Sequence, residues 1–274
     1  MRTHGLRTAL VALAATAALA LAGCAGSPAD QASGSSAPQG GLSLADVKKA
    51  GRIVFATEGT YRPFTYREGG SGALTGYDVD VAKAVARQLG VKAEFQETQF
   101  DAIFAGLDAK RFDVIANQIS ITPDRVKKYD FSTPYTVSTG VLVVPENSEI
   151  RSFADLKGKT AGESLTSEFY QIAQDSGATV EQVEGWAQAI ELLKQGRIDA
   201  TVNDELTWLD SKKSGDTAGL KVAAKSPEKS RSAFTFRRGS GSLVSAVDKA
   251  LARLAADGTL SRLGQKYFGA DVSR

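Results

Sequence analysis

From Ser43 to the C-terminus, runs patterned as strands alternate with runs patterned as helices, and this alternation limits the fold more than any other feature. "SLADVKKAG" opens with Ser43 in an N-cap position, has Asp46 three residues on, and stops at Gly51. "RIVFAT" follows as a strand. "YDVDVAKAVARQLG" places Val79, Ala82, Val85, Ala86 and Leu89 at helical spacing before Gly90. "VKAEFQ" alternates as a strand, "QFDAIFAGLDAKR" is helical, and "FDVIAN" is a strand again. Strands separated by helices of this length build βαβ units and predict a mostly parallel sheet.

The pattern restarts after "VSTGVLVVPENSEI". "SFADLKG" is a short capped helix, "KTAGE" a strand and "SEFYQIAQDSG" a helix. "TVEQVE", "WAQAIELLKQG", "RIDATVND" and "ELTWLDSKKSG" continue as strand, helix, strand, helix. A second α/β unit of similar size predicts two lobes rather than one long sheet. The tail, "LVSAVDKALARLAADGTLSRLGQKYFG", is helical with a break at Gly258, and is expected to dock on the first lobe. The chain then crosses between lobes twice. This assigns residues 42–143 and 238–274 to lobe 1 and 146–234 to lobe 2, with crossings at 144–145 and 235–237.

The first 41 residues stand apart. "MRTHGLRT" is basic, "ALVALAATAALALAG" is a small-apolar run too short for a membrane span, and Cys24 follows. "LAGC" matches the bacterial lipobox, so residues 1–23 are expected to be a signal peptide and Cys24 a lipidated new N-terminus anchored to the outer face of a membrane. "AGSPADQASGSSAPQGG", residues 25–41, holds nothing apolar larger than Ala and is a tether, spanning about 20–25 Å as a random coil. Loss of Arg2 and Arg7 leaves 31 basic residues against 31 acidic ones, which removes any case for nucleic-acid binding by bulk charge.

The rest contains no His, because the single His is His4, and its single Cys is Cys24. Ser-His-Asp and Cys-His catalysis are excluded, as are His/Cys zinc sites, and no metal or cofactor is expected. No phosphate-cradling or dinucleotide glycine motif is present. Carboxylate-only acid/base chemistry stays open on composition.

One stretch carries unusual polar density. "ANQISITPDR" (Ala116–Arg125) follows a buried strand with amides and hydroxyls. Thr122 suits an N-cap, Pro123 the first helical position and Asp124 the positive end of the dipole. Free N–H groups beside Ser120 and Thr122 make an anion-receptive corner, and Arg125 can return to grip a carboxylate. The same residues read equally well as a helix cap with a solvated or acid-paired arginine.

"EGTYRPFTY", "GALTGYDVDVAKAVARQLG", "NQISITPDRVKKYDFSTPYTVS", "DLKGKTAG", "GRIDATVND" and "DGTLSRLGQKYFGADV" together resemble the family 3 extracellular solute-binding proteins, bilobed amino-acid receptors of ABC importers, and most of all the cystine-binding branch. The resemblance covers residues 43–273. It implies an α/β, bilobed, periplasmic-binding-protein-like (type II) fold with a double-crossover hinge, no catalysis, a polar amino acid, most of all cystine, held between closing lobes, and a membrane ABC permease as partner of a monomeric receptor.

Residue by residue, the resemblance implies that Arg125, with Ser120 and Thr122, holds the α-carboxylate and Asp204 the α-ammonium from the second lobe. Tyr61 and Phe100 pack on the aliphatic part, Glu58, Asn117 and Gln118 line the first-lobe wall, and Ser164, Thr166 and Ser167 sit at the second-lobe helix start. Asp204 also suits a helix cap before "ELTWL". Glu168 departs from the branch, which has Asn there. In the cleft it adds negative charge and favours a second ammonium, and in solvent it is a first-turn acid. Phe100 stands where Trp is common, and Arg62 where a small residue is usual. Glutamine or a basic amino acid is the alternative ligand. A same-fold periplasmic enzyme or a sensor input domain is the alternative class.

Overall fold

The computed structural model describes residues 40–274; the expected signal peptide, the expected lipidation site Cys24 and the expected tether up to residue 39 lie outside the described residues. Helix α1 (Leu44–Ala50) carries a full capping box: the Asp46 N–H donates to Ser43 Oγ at 3.2 Å, and the Ser43 N–H donates to Asp46 at 3.1 Å. Gly51 ends it at φ 67° and leads into β1 (Arg52–Thr57). A small meander follows, β2 (Thr60–Tyr61), β3 (Thr65–Arg67) and β4 (Leu74–Thr75). Then come α2 (Tyr77–Leu89), β5 (Lys92–Glu97), α3 (Phe100–Asp108), β6 (Val114–Ser120), α4 (Pro123–Lys128), β7 (Tyr129–Phe131) and β8 (Thr136–Pro145).

The second unit opens with a 3-10 turn at Phe153–Leu156, capped by Ser152 and Asp155. It continues through β9 (Thr160–Glu163), α5 (Glu168–Asp175), β10 (Thr179–Gln182), α6 (Trp186–Lys194), β11 (Thr201–Asp204) and α7 (Glu205–Ser214). The long β12 (Leu220–Arg237) returns to the first unit, and α8 (Gly241–Ala256) and α9 (Thr259–Phe268) close the chain.

The expected mostly parallel sheet is corrected. β1 pairs in parallel with β5 and β6, and β9 with β10, but β8, β11 and β12 join the main sheet antiparallel. The cause is the return path. β8 leaves the first unit and β12 comes back along it, so the two connections run in opposite senses and hydrogen-bond to each other. The hydrogen-bonded order β11-β8-β12-β6-β1-β5 is therefore one continuous ribbon, where two separate sheets were expected.

The cores nonetheless divide, as a bilobed α/β fold requires. One cluster joins Phe55, Val81, Val85, Tyr135 and Phe234 with Leu243, Val247, Leu251 and Leu260, so the helical tail docks on the first lobe. Phe234 lies 5.7 Å from Phe55 and 4.6 Å from Tyr135 between ring centroids. A neighbouring cluster gathers Ala56, Ile103, Leu107, Ile115 and Ile119. The second lobe packs Val141 and Val143 with Trp186, Ile190, Leu193 and Trp208 on one face, and Leu142 and Val144 with Leu156, Ala173 and Val202 on the other. Alternate residues of β8 thus face opposite sides of the second lobe.

Candidate ligand-binding cleft

A cleft with a free volume of ≈ 720 Å³, counting its open mouth, lies between residues of both lobes. Glu58, Tyr61, Phe100, Asn117, Gln118, Ser120 and Arg125 line one wall, and Ser164, Ser167 and Glu168 the other.

Arg125 sits where β6 ends and α4 begins. Thr122 caps α4 by accepting the Arg125 N–H at 3.3 Å, and Pro123 takes the first helical position. The arginine then folds back: Nη1 donates to the Ser120 carbonyl at 2.9 Å, Nη2 to the Thr166 carbonyl at 2.8 Å, and the guanidinium lies 5.2 Å from the Phe104 ring centre. Among the described residues no carboxylate forms a salt bridge with it. Burial lowers its pKa, and Glu168 is the carboxylate that most opposes this. A desolvated guanidinium whose hydrogen bonds go only to carbonyls is an incompletely satisfied cation.

Carboxyls collect around the rest of the cleft. Asn117, fully buried, holds Glu58: its Oδ1 accepts the Glu58 N–H at 2.8 Å and its Nδ2 donates to Glu58 Oε2 at 2.7 Å. Burial pushes Glu58 up to about 7, with Asp101 and Glu184 adding to the rise. Glu168 takes the cleft-facing alternative, accepting from Ser230 Oγ at 2.6 Å, and Ser230 also reaches Ser120 Oγ at 3.2 Å. Two further acids were not read from the sequence, Glu163 and Glu184. Glu163 is buried, accepts the Val202 N–H at 2.6 Å, and is pushed well above the usual carboxylate range by desolvation. Its signal was available: a charged residue closing the buried strand "KTAGE".

Three expected residues lie off the lining. Thr122 caps α4 behind Arg125. Thr166 meets the arginine through its carbonyl, while its N–H and Oγ1 both donate to Asp101 at 3.0 Å. Asp204 is buried as the N-cap of α7, accepting the Leu206 N–H at 2.8 Å and a bond from Ser138 Oγ. Burial pushes it up to about 7, and the nearby Glu168 and Glu205 add to this. Its neighbour Asn203 lines the cleft and accepts from Tyr61 Oη at 2.9 Å. Gln118 is held in the left-handed region, φ 49°, by Asp78, which accepts its N–H at 2.8 Å and its Nε2 at 2.5 Å. Such strain in a non-glycine residue gathers at functional sites. Phe169, Trp186, Thr60 and Gly185 also line the walls and were not foreseen, because each meets the cleft only through the tertiary approach of two lobes.

Among the described residues no group of His, Cys, Asp or Glu is placed to hold a metal ion, and no helix is long and apolar enough to cross a membrane. The arrangement can bind a molecule carrying both signs of charge. Residues 53–270 match the family described as bacterial extracellular solute-binding proteins, family 3. The chain belongs to that family. A family member, the L-cystine-binding protein TcyA of Bacillus subtilis (strain 168), is 47% identical over 98% of this chain and 100% of its own. The L-cystine solute receptor of Neisseria gonorrhoeae, in an unliganded open conformation, is 44% identical, with a TM-score of 0.58 over 85% of this chain and 100% of its own. An ancestral arginine-binding protein bound to arginine is 36% identical, with a TM-score of 0.75 over 80% of this chain and 99% of its own. The family 3 chain described here is therefore closer in shape to a liganded relative than to an open one of higher identity. It is an extracytoplasmic solute-binding protein and not an enzyme.

Proposed function

We propose that this chain captures cystine outside the cytoplasm and delivers it to a membrane-embedded ABC permease, as a monomer anchored through lipid on Cys24. The observation that carries the reading is the charge layout of the cleft: one guanidinium without an anionic partner among the described residues, faced by Glu58, Glu163, Glu168 and Glu184. Arg125 takes one α-carboxylate, and the Glu168–Asp204 region takes the α-ammonium beside it. Cystine brings a second ammonium, which suits the Glu58 end. The relatives named for cystine support this choice.

The acidic surplus also suits a basic amino acid, and arginine-bound relatives of high structural similarity support that second reading. For the lobe boundaries, the cores favour crossings at about 136–140 and 225–232 over those read from sequence. Tyr135 and Phe234 pack in the first lobe, whereas Val141 and Ala224 pack in the second. A thermal-shift screen with L-cystine, L-glutamine, L-arginine and L-histidine tests the ligand. At a hundredfold excess over Kd a ligand adds about 2.7 kcal/mol, or about 5–10 °C in a domain of this size. The largest shift is expected with cystine, and a shift with arginine alone replaces it by the second reading.

A further inference from the structure

Asp101 does not line the cleft, yet it is the most heavily engaged carboxylate between the two lobes. It stands in the first turn of α3, whose Ile103 and Leu107 belong to a first-lobe core. Its partners belong to the other lobe. Oδ1 accepts the Thr166 N–H at 3.0 Å and Thr166 Oγ1 at 3.0 Å, and Oδ2 accepts the Leu165 N–H at 3.2 Å and Gln182 Nε2 at 3.0 Å. Leu165 and Thr166 form the loop between β9 and α5, and Gln182 ends β10. One carboxylate thus accepts four bonds from elements whose own packing lies in a separate core.

The second half of the observation is Arg125. Its Nη2 donates to the carbonyl of the same Thr166 at 2.8 Å. Thr166 is therefore gripped from both sides, by a first-lobe anion at its N–H and hydroxyl and by a first-lobe cation at its carbonyl. These bonds join two bodies that meet only when the cleft is shut, so they add to the closed state and contribute nothing to an open one. The greater likeness to the arginine-bound relative than to the open receptor agrees with a shut arrangement.

We propose that Asp101 is a closure latch, a positioning residue that sets affinity and residence time by docking on the 164–166 loop without touching the ligand. A ligand shifts the lobes only by its differential interaction with the closed state, and the latch supplies a fixed share of that difference from the protein side. It also orients Arg125, because the Thr166 carbonyl that Asp101 immobilises is the one holding Nη2.

The experiment compares wild type with Asp101→Ala and Asp101→Asn, using L-cystine as probe and so resting on the ligand reading above. In Asp101→Ala the expected result is a Kd about tenfold weaker, in line with loss of several partly exposed bonds to a charged group, arising mainly as faster dissociation. Asp101→Asn keeps one acceptor oxygen and is expected to fall between. The ligand-free melting temperature stays at the wild-type value, and X-ray scattering of the saturated variant shows a larger radius of gyration than saturated wild type. Wild-type Kd and dissociation rate in Asp101→Ala overturn the latch. If wild type itself ignores cystine, the cystine reading fails separately, and the same comparison with L-arginine scores the latch.

Discussion

Replacing Arg125 by Ala removes the only cation lining the cleft among the described residues and leaves the carboxylate of a bound amino acid without its partner. The guanidinium donates one Nη N–H to Ser120 and one to Thr166, so three of its five N–H groups are left for a carboxylate. Removing one partner of a desolvated, hydrogen-bonded charge pair costs about 2–5 kcal/mol, or about thirtyfold to several thousandfold in Kd. The fold loses much less. The arginine contributes a contact over Phe104 worth about 0.5–1 kcal/mol, and its removal also takes away a cation that burial disfavours. The ligand-free melting temperature is expected to stay within about 5 °C of wild type. Isothermal titration with L-cystine measures the binding loss, and Arg125→Lys, which keeps the charge but not the fork, is expected to recover part of it. Wild-type affinity in Arg125→Ala refutes the assignment of the carboxylate site. A loss of affinity accompanied by a collapsed melting temperature assigns the effect to unfolding instead.

Three further expectations follow. Burial holds Glu58 and Asp204 up to about 7, so the empty cleft carries protons near neutrality that an arriving ammonium displaces. Binding at pH 6–7 is expected to release protons, seen as a heat that depends on buffer ionisation enthalpy, with less release in Glu58→Gln and at pH 9. For the ligand-free protein the sign is fixed by linkage. The folded state retains protons that the unfolded chain has lost, so stability falls as pH climbs from about 4 through 7, a slope that melting curves read directly. Gly76→Ala places a Cβ 2.2 Å from the Phe64 carbonyl oxygen and 2.8 Å from the Thr65 nitrogen, at φ 127°. Backbone on both counts leaves no relief, and a loss of about 3 kcal/mol or more is expected as a drop of roughly 10 °C in Tm.

Most helices of the fold were legible because their signals are local. Ser43 with Asp46, Gly51, Gly90 and Gly258 mark ends through capping geometry that depends on a few neighbouring residues. The long β12 was not legible. Its middle, "KSPEKS", is charged, contains Pro227, and is half exposed, so it carries no alternation. It is a strand because β8 offers it a partner nearly a hundred residues earlier. The cleft divides in the same way. Asn117 and Ser120 lie in the polar second half of a buried strand with Arg125 just beyond it, and the segment announces them. Glu163, Asn203 and Trp186 reach the cleft from three different elements, and only lobe packing brings them together. Asp204 shows the limit of reading one residue in isolation: its capping role and its charge were both visible, but its burial behind Asn203 was not.

The charge layout also explains why such a cleft waits for its ligand. Shutting the lobes on nothing desolvates Glu58, which must then stay charged at a cost or take up a proton, with Arg125 as the sole opposing cation in the lining among the described residues. The latch at Asp101 and the contacts Tyr61–Asn203 and Arg62–Asp210 pull the other way. Closure is thus held near balance by the protein itself, with attraction at the rim and repulsion in the interior. An amino acid with a single ammonium relieves one part of the interior cost, and a second ammonium at the Glu58 end relieves another. The ligand that closes the lobes most completely is then the one whose cations match both acidic positions while its carboxylate satisfies Arg125. Selectivity on this view comes from the interior repulsion, since the rim contacts are the same whatever occupies the cleft.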